Sequence, residues 1–486
     1  MNKSWRIGLG TGVLALVVLS AWMLGRDSRS ANSLAKYRAQ LAAKGERLTI
    51  AELIAARVPS TNDSQAVLTN AVACIGAQRL HPSGLDLRHY TAPGRAQAVW
   101  QQDPPNWGNG FGQAPSGTWE NFAAEVDSLQ QPLADIRQAL KNPAPDAGPL
   151  TNIWERRVDF VKMRQAAQWL MGAALCEVHR GNLEAGLEDL EALAGLARME
   201  RDEYTLVAQM IRVAITGLGT ATSWEILQAP GWTEPQLLRL QRAWEGVDLF
   251  GGLEHGMVGE RAMGEEIWLQ AHQPNQRGVL RNLGLKPAGQ PSLQALVSDY
   301  VLFPVYKFAF LDQDELFRLQ IMQESIEAFR LLEKRHTLAE AQARLAPGFA
   351  RLNKVANSPQ KYRYELSLIS IPNYTRAVQT TTRNETERQM TIAAVALKRF
   401  NLREGRWPAN LNELVPAYLA ELPYDPMSGK SLCYHTGAGG QFVLYSVGED
   451  GRDDGGDARP GPGGRPGGMW DGRDAVWPIV APVQLK

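Results

Sequence analysis

Five acidic residues crowd into a glycine-rich stretch near the end of the chain, and their chemistry suits a hard cation. The stretch begins at Leu444 and reads LYSVGEDGRDDGGDARPGPGG. Calcium takes about six to eight oxygen ligands, and a glycine-rich backbone can turn its carbonyls inward where carboxylates converge. A solvated acidic loop fits the same residues, because crowded carboxylates repel one another unless a cation or solvent screens them. From the residues alone, both interpretations stay open.

The residues before this loop predict a helix followed by a β-hairpin. Residues 388–400 predict an amphipathic helix that ends at Gly405. The segments KSLCYH and QFVLYSV predict two strands joined by TGAGG. Because the strands and the helix each have an apolar face, we expect them to bury one another. The pattern predicts a small α+β domain over residues 387–486, with the acidic glycine-rich loop at 448–474.

Three motifs in this region resemble the C-terminal part of the type II secretion major pseudopilin, also called general secretion protein G. They are REGRWPANLNEL, YLAELPYDPMSGKSLCY and FVLYSVGEDG, and the resemblance covers about residues 387–477. It implies a pseudopilin-like α+β module, a setting outside the cytoplasm, and calcium bound by the loop after the last strand. A pseudopilin leader with its peptidase site is not found in the first 25 residues, so we do not expect a pilus subunit.

The resemblance also implies a set of calcium ligands. Asp450 and Asp474 fall on aspartates of the family motif, and Leu444 and Val447 are placed to lend backbone carbonyls. Position 473 departs from the family pattern because it is Arg rather than an acid. The intervening loop is longer than in the family and adds three carboxylates of its own, those of Asp453, Asp454 and Asp457.

An uncharged apolar segment near the N-terminus predicts a membrane anchor. Residues 7–24 carry no charge, and Lys3 and Arg6 lie in the short tail, residues 1–6, that precedes them. The length favours an uncleaved transmembrane helix over a cleaved signal peptide. We therefore expect a single-pass bacterial inner-membrane protein that contacts the lipid bilayer through residues 7–24, with most of the chain outside the cytoplasm.

The rest of the chain predicts mostly helix. We expect a helical region over residues 25–148, interrupted by a loop at 81–118, and a helical bundle domain over 149–386. Leu183, Leu187 and Leu190 recur at helical spacing after a Gly-Asn turn, which predicts an antiparallel helical hairpin. This hairpin resembles one tetratricopeptide unit, but no second copy follows. The predicted fold class is therefore mainly α, with a transmembrane helix and a small C-terminal α+β domain.

Composition and failed motifs exclude several functions. Lys and Arg balance Asp and Glu at 51 each, and no basic run marks a nucleic-acid surface. The segment MSGKS at 427–431 lacks the first glycine of a phosphate-binding loop, so we expect no nucleotide. We predict a structural or adaptor protein of the cell envelope, with envelope or secretion-system proteins as partners and no catalytic residue. The rival is a membrane-anchored, hydrolase-like enzyme with its site at 254–266 or within 81–118.

Overall fold

The protein is mainly helical with small sheets, which confirms the predicted fold class at that level. The computed structural model describes residues 29–56, 64–76, 84–107, 117–144, 159–273, 303–437, 440–461 and 468–482.

Helices carry most of the described chain. In chain order they are α1 (residues 29–43), α2 (Ile50–Ala56), α3 (Ser64–Ile75), α4 (Trp119–Ser128), α5 (Gln130–Leu140), α6 (Phe160–His179), α7 (Leu183–Arg198), α8 (Leu206–Leu227), α9 (Glu234–Glu245), α10 (Phe250–His272), α11 (Phe303–Glu333), α12 (Leu338–Ala356), α13 (Glu365–Ser370) and α14 (Thr375–Glu404). Side-chain caps explain several starts. Thr205, for example, accepts a hydrogen bond from the Ala208 amide at the start of α8.

The strands are short and form three small sheets. They are β1 (His89–Ala92), β2 (Arg95–Gln97), β3 (Tyr424–Asp425), β4 (Lys430–Ser431), β5 (Cys433–Thr436), β6 (Phe442–Ser446), β7 (Ala475–Val476) and β8 (Ile479–Val480). The sheet orders are β1-β2-β8, β3-β4 and β5-β6-β7. The β5–β6 pair is the predicted hairpin, with Tyr434 opposite Leu444. The β2–β8 pair is parallel and was not expected.

The chain divides into two compact units. Unit 1 comprises residues 1–57, 257–328 and 343–374, and unit 2 comprises 58–256, 329–342 and 375–486. Unit 2 therefore combines the predicted C-terminal domain with much of the predicted helical region. The predicted domain boundaries, between residues 148 and 149 and between residues 386 and 387, stay predictions.

Unit 1 buries aromatic residues together with charged ones. Trp268 and Leu311 belong to its apolar cluster. Asp314 is fully buried and accepts a hydrogen bond from the Leu366 amide, 2.9 Å away, at the start of α13. Burial raises the pKa of Asp314 to about 6. A buried carboxylate thus fixes the start of a short helix.

Unit 2 has a large core built by α6, α7, α8, α9 and α14. The hairpin of α6 and α7 turns at Gly181, whose φ of 84° favours glycine. Trp169, Trp224 and Trp244 are all fully buried. Trp224 also donates its indole N–H to the Pro478 carbonyl, 2.8 Å away, which connects α8 to the residue before β8.

Helix α14 differs from its prediction in length and in environment. It begins at Thr375, thirteen residues before the predicted start, and continues to Glu404. Gly405, with a φ of 70°, follows its end as predicted. Most of its side chains are buried, polar ones included, so it is not an amphipathic surface helix. The predicted division into one apolar and one polar face is not observed, because helices and strands pack on several faces of α14.

The predicted membrane localisation is contradicted. Among the described residues, none of the helices combines the length and the apolar character needed to cross a membrane. Residues 7–24, on which the prediction of an anchor and of a bilayer contact rested, lie outside the described residues.

Candidate functional site

The two ends of the predicted calcium loop lie next to each other, on paired strands. It leaves β6 after Ser446 and returns as β7, which pairs antiparallel with β6 so that Ser446 lies opposite Ala475. The Leu444 carbonyl, one of the predicted ligands, accepts the Trp477 amide at 2.9 Å. That carbonyl is therefore already used by the backbone next to the sheet.

Asp474 is the centre of this loop. Its side chain is fully buried. The carboxylate accepts hydrogen bonds from three backbone amides, those of Asp454 at 3.3 Å, Gly456 at 2.7 Å and Asp457 at 3.1 Å. Burial raises the pKa of Asp474, and the amide donors act in the opposite direction. The loop backbone is therefore ordered around a carboxylate, to which it presents N–H groups. A bound cation, as predicted, would instead face carbonyl and carboxylate oxygens.

Asp457 is paired with cations of the loop itself. Arg459 donates both a guanidinium N–H and its backbone amide to this carboxylate, and Arg473 lies 3.5 Å from it. The hydrogen bonds from Arg459 lower the pKa of Asp457 to about 2. Arg473, the residue that departs from the family motif, thus provides positive charge inside the loop.

The remaining predicted ligands point to separate partners. Asp453 accepts the Tyr445 hydroxyl at 2.9 Å, and Asp450 accepts the Arg452 amide at 3.0 Å in a local turn. The Val447 amide donates to Asp425 at 3.3 Å, and Asp454 is exposed.

Several of the predicted ligands are therefore held by protein donors, whereas the Asp454 side chain is exposed. Among the described residues, one group of three metal-binding side chains brings its ligand atoms within 4.8 Å of one another, and that group lies elsewhere in the chain. Calcium binding by the loop stays a prediction. The geometry favours a loop ordered by its own hydrogen bonds, which the sequence interpretation did not consider.

Asp425 is a buried carboxylate that the sequence interpretation missed. It accepts the Met427 amide at 3.0 Å and the Ser446 hydroxyl at 2.8 Å, and so connects the YDPMSG turn to the end of β6. The signal in the sequence was an aspartate directly before proline in a tight turn, a position where its side chain can accept nearby amides.

A polar cleft lies in the region where the rival enzyme site was expected. The cleft has a volume of about 390 Å³ and is lined by residues 86–90, Glu387 and residues 468–471. Arg88 and Glu387 form an ion pair at 2.8 Å, and Trp470 donates to the same carboxylate at 2.8 Å. The Tyr90 hydroxyl is buried with no hydrogen-bond partner among the described residues.

His89 and Asp86 form a pair at the edge of this cleft. The carboxylate of Asp86 accepts from Nδ1 of His89 and also from Asn106, at 3.0 Å. An aspartate three residues before a histidine at the start of a strand was the signal that could have revealed this pair. Both side chains are more than a third exposed, so the pair alone lacks the desolvated setting of a tuned general base.

Glu225 anchors the hairpin that carries this cleft. It is fully buried in α8, and its two oxygens accept the backbone amides of Arg88 and Val99. Arg88 has a φ of 50°, a conformation uncommon for a residue other than glycine. Burial raises the pKa of Glu225 to about 8. This carboxylate therefore holds a strained turn in place.

The acidic cluster at 254–266, the other rival site, has structural partners. Glu254 pairs with Arg330 at 2.8 Å. His255 stacks on Tyr204 with ring centroids 4.2 Å apart, and burial lowers its pKa. Glu265, in unit 1, pairs with Arg38 and Arg318. These contacts favour an internal ion-pair role over a catalytic one.

A fourth feature is a cavity of about 710 Å³ in unit 2, which we call the arginine pocket. It lies on α7 between α5 and α9. Its walls combine five cationic side chains with two glutamates, one glutamine and small or apolar residues. They are Arg137, Lys141, Arg198, Arg239, Arg242, Glu188, Glu191, Gln138, Ala134, Leu140, Ala192 and Ala243.

The cations of the arginine pocket fall into two sets. Arg137 pairs with the buried Asp189 at 2.8 Å, and Arg239 pairs with Glu191 at 2.6 Å. Lys141, Arg198 and Arg242 form no ion pair with any other described residue. The Nε of Arg198 is buried without a hydrogen-bond partner there, and burial lowers the pKa of this side chain. Three cations are thus left to interact with solvent or with an anion.

No protein-family model, curated protein or solved structure matches this chain. Function must therefore be inferred from the geometry of the described residues.

Replacing Asp474 with Asn should destabilise the full chain by about 1–3 kcal/mol, the cost of leaving a buried amide unsatisfied. The Asn amide group would face at least one of the three backbone N–H groups that the carboxylate now accepts. Urea unfolding measures the effect, with Asp454→Asn, an exposed change in the same loop, as the matched control. Equal unfolding midpoints for the two variants would show that Asp474 does not organise the loop.

Glu225 should make stability depend on pH. Since its folded pKa, about 8, lies above the ordinary value of 4.5, its stabilising contribution is complete below about pH 4.5 and is lost as the pH rises through about 8. Glu225→Gln removes the titration. The free energy of unfolding of the unmodified chain should then fall more steeply with pH than that of the variant, by at most about 1.4 kcal/mol per pH unit.

Urea unfolding between about pH 5 and pH 8 tests this pH dependence. The exposed change Glu404→Gln is the control and should keep the slope of the unmodified chain. If the free energy of unfolding changed with pH in the same way in the unmodified chain and in Glu225→Gln, the raised pKa of Glu225 would be contradicted.

Proposed function

We propose that the protein is an adaptor that binds an acidic segment of a partner protein in the arginine pocket. The observation that carries this proposal is the presence of Lys141, Arg198 and Arg242 at one cavity without ion-pair partners among the described residues. Gathering like charges costs Coulomb energy, which an anion placed between them offsets.

The placement of these cations favours carboxylates as their partners. Arg198 is half-buried, and its Nε has lost water without gaining an acceptor. A desolvated guanidinium that lacks an acceptor is unfavourable, and a carboxylate can accept from it in a bidentate manner. Lys141 and Arg242 are exposed, so they can contact a ligand without first breaking an internal ion pair.

The size and lining of the pocket favour a peptide over a single small anion. A volume of about 710 Å³ falls within the range of sites that bury a drug-sized ligand, about 300–1,000 Å³. Ala134, Leu140 and Ala192 provide apolar contact between the charged groups. Neutral overall charge, with 51 basic and 51 acidic residues, speaks against nucleic acid as the partner.

We also propose that the C-terminal segment follows the pseudopilin plan, as a helix packed on a hairpin. The β5–β6 hairpin, the contact of α14 with β6, and the motifs WP, YDP and YSVG support this proposal. On that basis the adaptor would act in a type II secretion or pseudopilus-like assembly.

Binding of a fluorescently labelled glutamate-rich peptide to the full chain tests the adaptor proposal. We expect saturable binding that weakens as the salt concentration rises. The double change Lys141→Gln and Arg242→Gln should weaken the affinity at least about tenfold, since a charge-assisted hydrogen bond contributes about 1.5–3 kcal/mol.

The matched control is the double change Lys334→Gln and Arg403→Gln, which removes the same charges from exposed positions away from the pocket in unit 2. It should keep the affinity of the unmodified chain. Absence of saturable binding, or an equal loss in both double variants, would overturn the proposal.

A further inference from the structure

Unit 1 contains a mixed nitrogen and oxygen cluster that the adaptor proposal does not use. It comprises His272 at the end of α10, and Asp312 and Glu315 on successive turns of α11. One ligand atom from each side chain lies within 4.8 Å of the others. We propose that these three side chains bind a divalent transition metal ion of the zinc type.

Two of the three distances between the ligand atoms lie near the edge length of a coordination tetrahedron. Nε2 of His272 lies 3.1 Å from Oε2 of Glu315 and 3.4 Å from Oδ1 of Asp312. Zinc bonds to histidine nitrogen and carboxylate oxygen are about 2.0–2.2 Å long, which makes the edges of a tetrahedron about 3.3–3.6 Å. The third distance, between the carboxylate oxygens of Asp312 and Glu315, is within 4.8 Å. Side-chain shifts that bring this distance near the tetrahedral edge would let a metal ion bind between the three atoms.

The second oxygen of Glu315 is already oriented. Arg38, on α1, donates to Oε1 of Glu315 and, at 2.6 Å, to Glu265. Arg318 donates to the other oxygen of Glu265 at 3.2 Å. Partners of this kind hold a ligating carboxylate in position and commonly contribute about 10–100-fold to metal affinity. Glu315 thus presents Oε2 to His272 from a fixed position.

The three proposed ligands differ in burial, and this difference permits a metal ion both to enter the cluster and to bind there. The Glu315 side chain is fully buried, that of Asp312 is 16% exposed, and that of His272 is 41% exposed. An ion can reach the cluster from the histidine side and meet desolvated carboxylates. Three protein ligands leave at least one position for water, and the ion would connect the end of α10 to α11.

An ion pair between a protonated His272 and the two carboxylates is the competing explanation, and cobalt binding separates the two. The full chain, stripped with a chelator, is titrated with Co²⁺ while visible ligand-field absorption is followed. We expect one equivalent to bind, to be displaced by Zn²⁺, and to raise the unfolding temperature.

His272→Ala and the near-isosteric Asp312→Asn should each lower the Co²⁺ affinity at least tenfold. His336→Ala removes another histidine paired with a carboxylate, Glu340 at 3.3 Å, and should leave Co²⁺ binding unchanged. Circular dichroism of the metal-free variants tests whether they are folded. If His272→Ala does not fold, the near-isosteric Asp312→Asn variant decides the test. Absence of stoichiometric Co²⁺ binding, or unchanged affinity in a folded Asp312→Asn variant, would overturn the proposal.

Discussion

The structure of unit 2 depends on the burial of α14, a helix that buries polar and charged side chains as well as apolar ones. Its thirty residues include buried Glu385, Arg388 and Arg399. Arg388 binds Glu385 through two hydrogen bonds of 2.6 and 2.9 Å and donates to the Trp244 carbonyl at 2.7 Å. Such groups are tolerated inside a core only when each has partners, since removal of one partner leaves an uncompensated charge. Because the buried charges of α14 need these partners, they constrain the positions of α8, α9 and the C-terminal strands around it.

Buried carboxylates hold the irregular segments of the same unit. Glu225 accepts the amides of Arg88 and Val99, which flank the β1–β2 hairpin. Asp425 accepts an amide of the turn after β3, and Asp474 accepts those of the loop between β6 and β7. In each case one acidic side chain satisfies backbone groups that lack a helix or sheet partner. Acids thus act mainly as internal acceptors. The side chains of the arginine pocket that form no ion pair among the described residues are three cations, Lys141, Arg198 and Arg242, and one acid, Glu188. That asymmetry is the physical basis for proposing an acidic partner.

Local patterns predicted the elements well, and distant contacts account for what they missed. The α6–α7 hairpin and the β5–β6 hairpin each depend on a glycine-containing connection between neighbouring segments, which the sequence displays. The role of Asp474 could not be predicted in this way, because the amides it accepts lie about 17–20 residues earlier. Two of these amides belong to Asp454 and Asp457, whose side chains were predicted as calcium ligands. The arginine pocket draws its cations from three helices, and His272 meets Asp312 across forty residues of sequence. No periodicity connects such positions.

The central claim is that the helices of unit 2 and the C-terminal strands share one cooperative core through α14. The most direct test is the urea unfolding of the isolated fragment 375–486, followed by circular dichroism and compared with the same transition in the full chain. The account predicts no cooperative transition for the fragment, because the buried charges of α14 lose Trp244 and Gln241 as partners. A sigmoidal transition in the fragment, with a midpoint equal to that of the full chain, would contradict it.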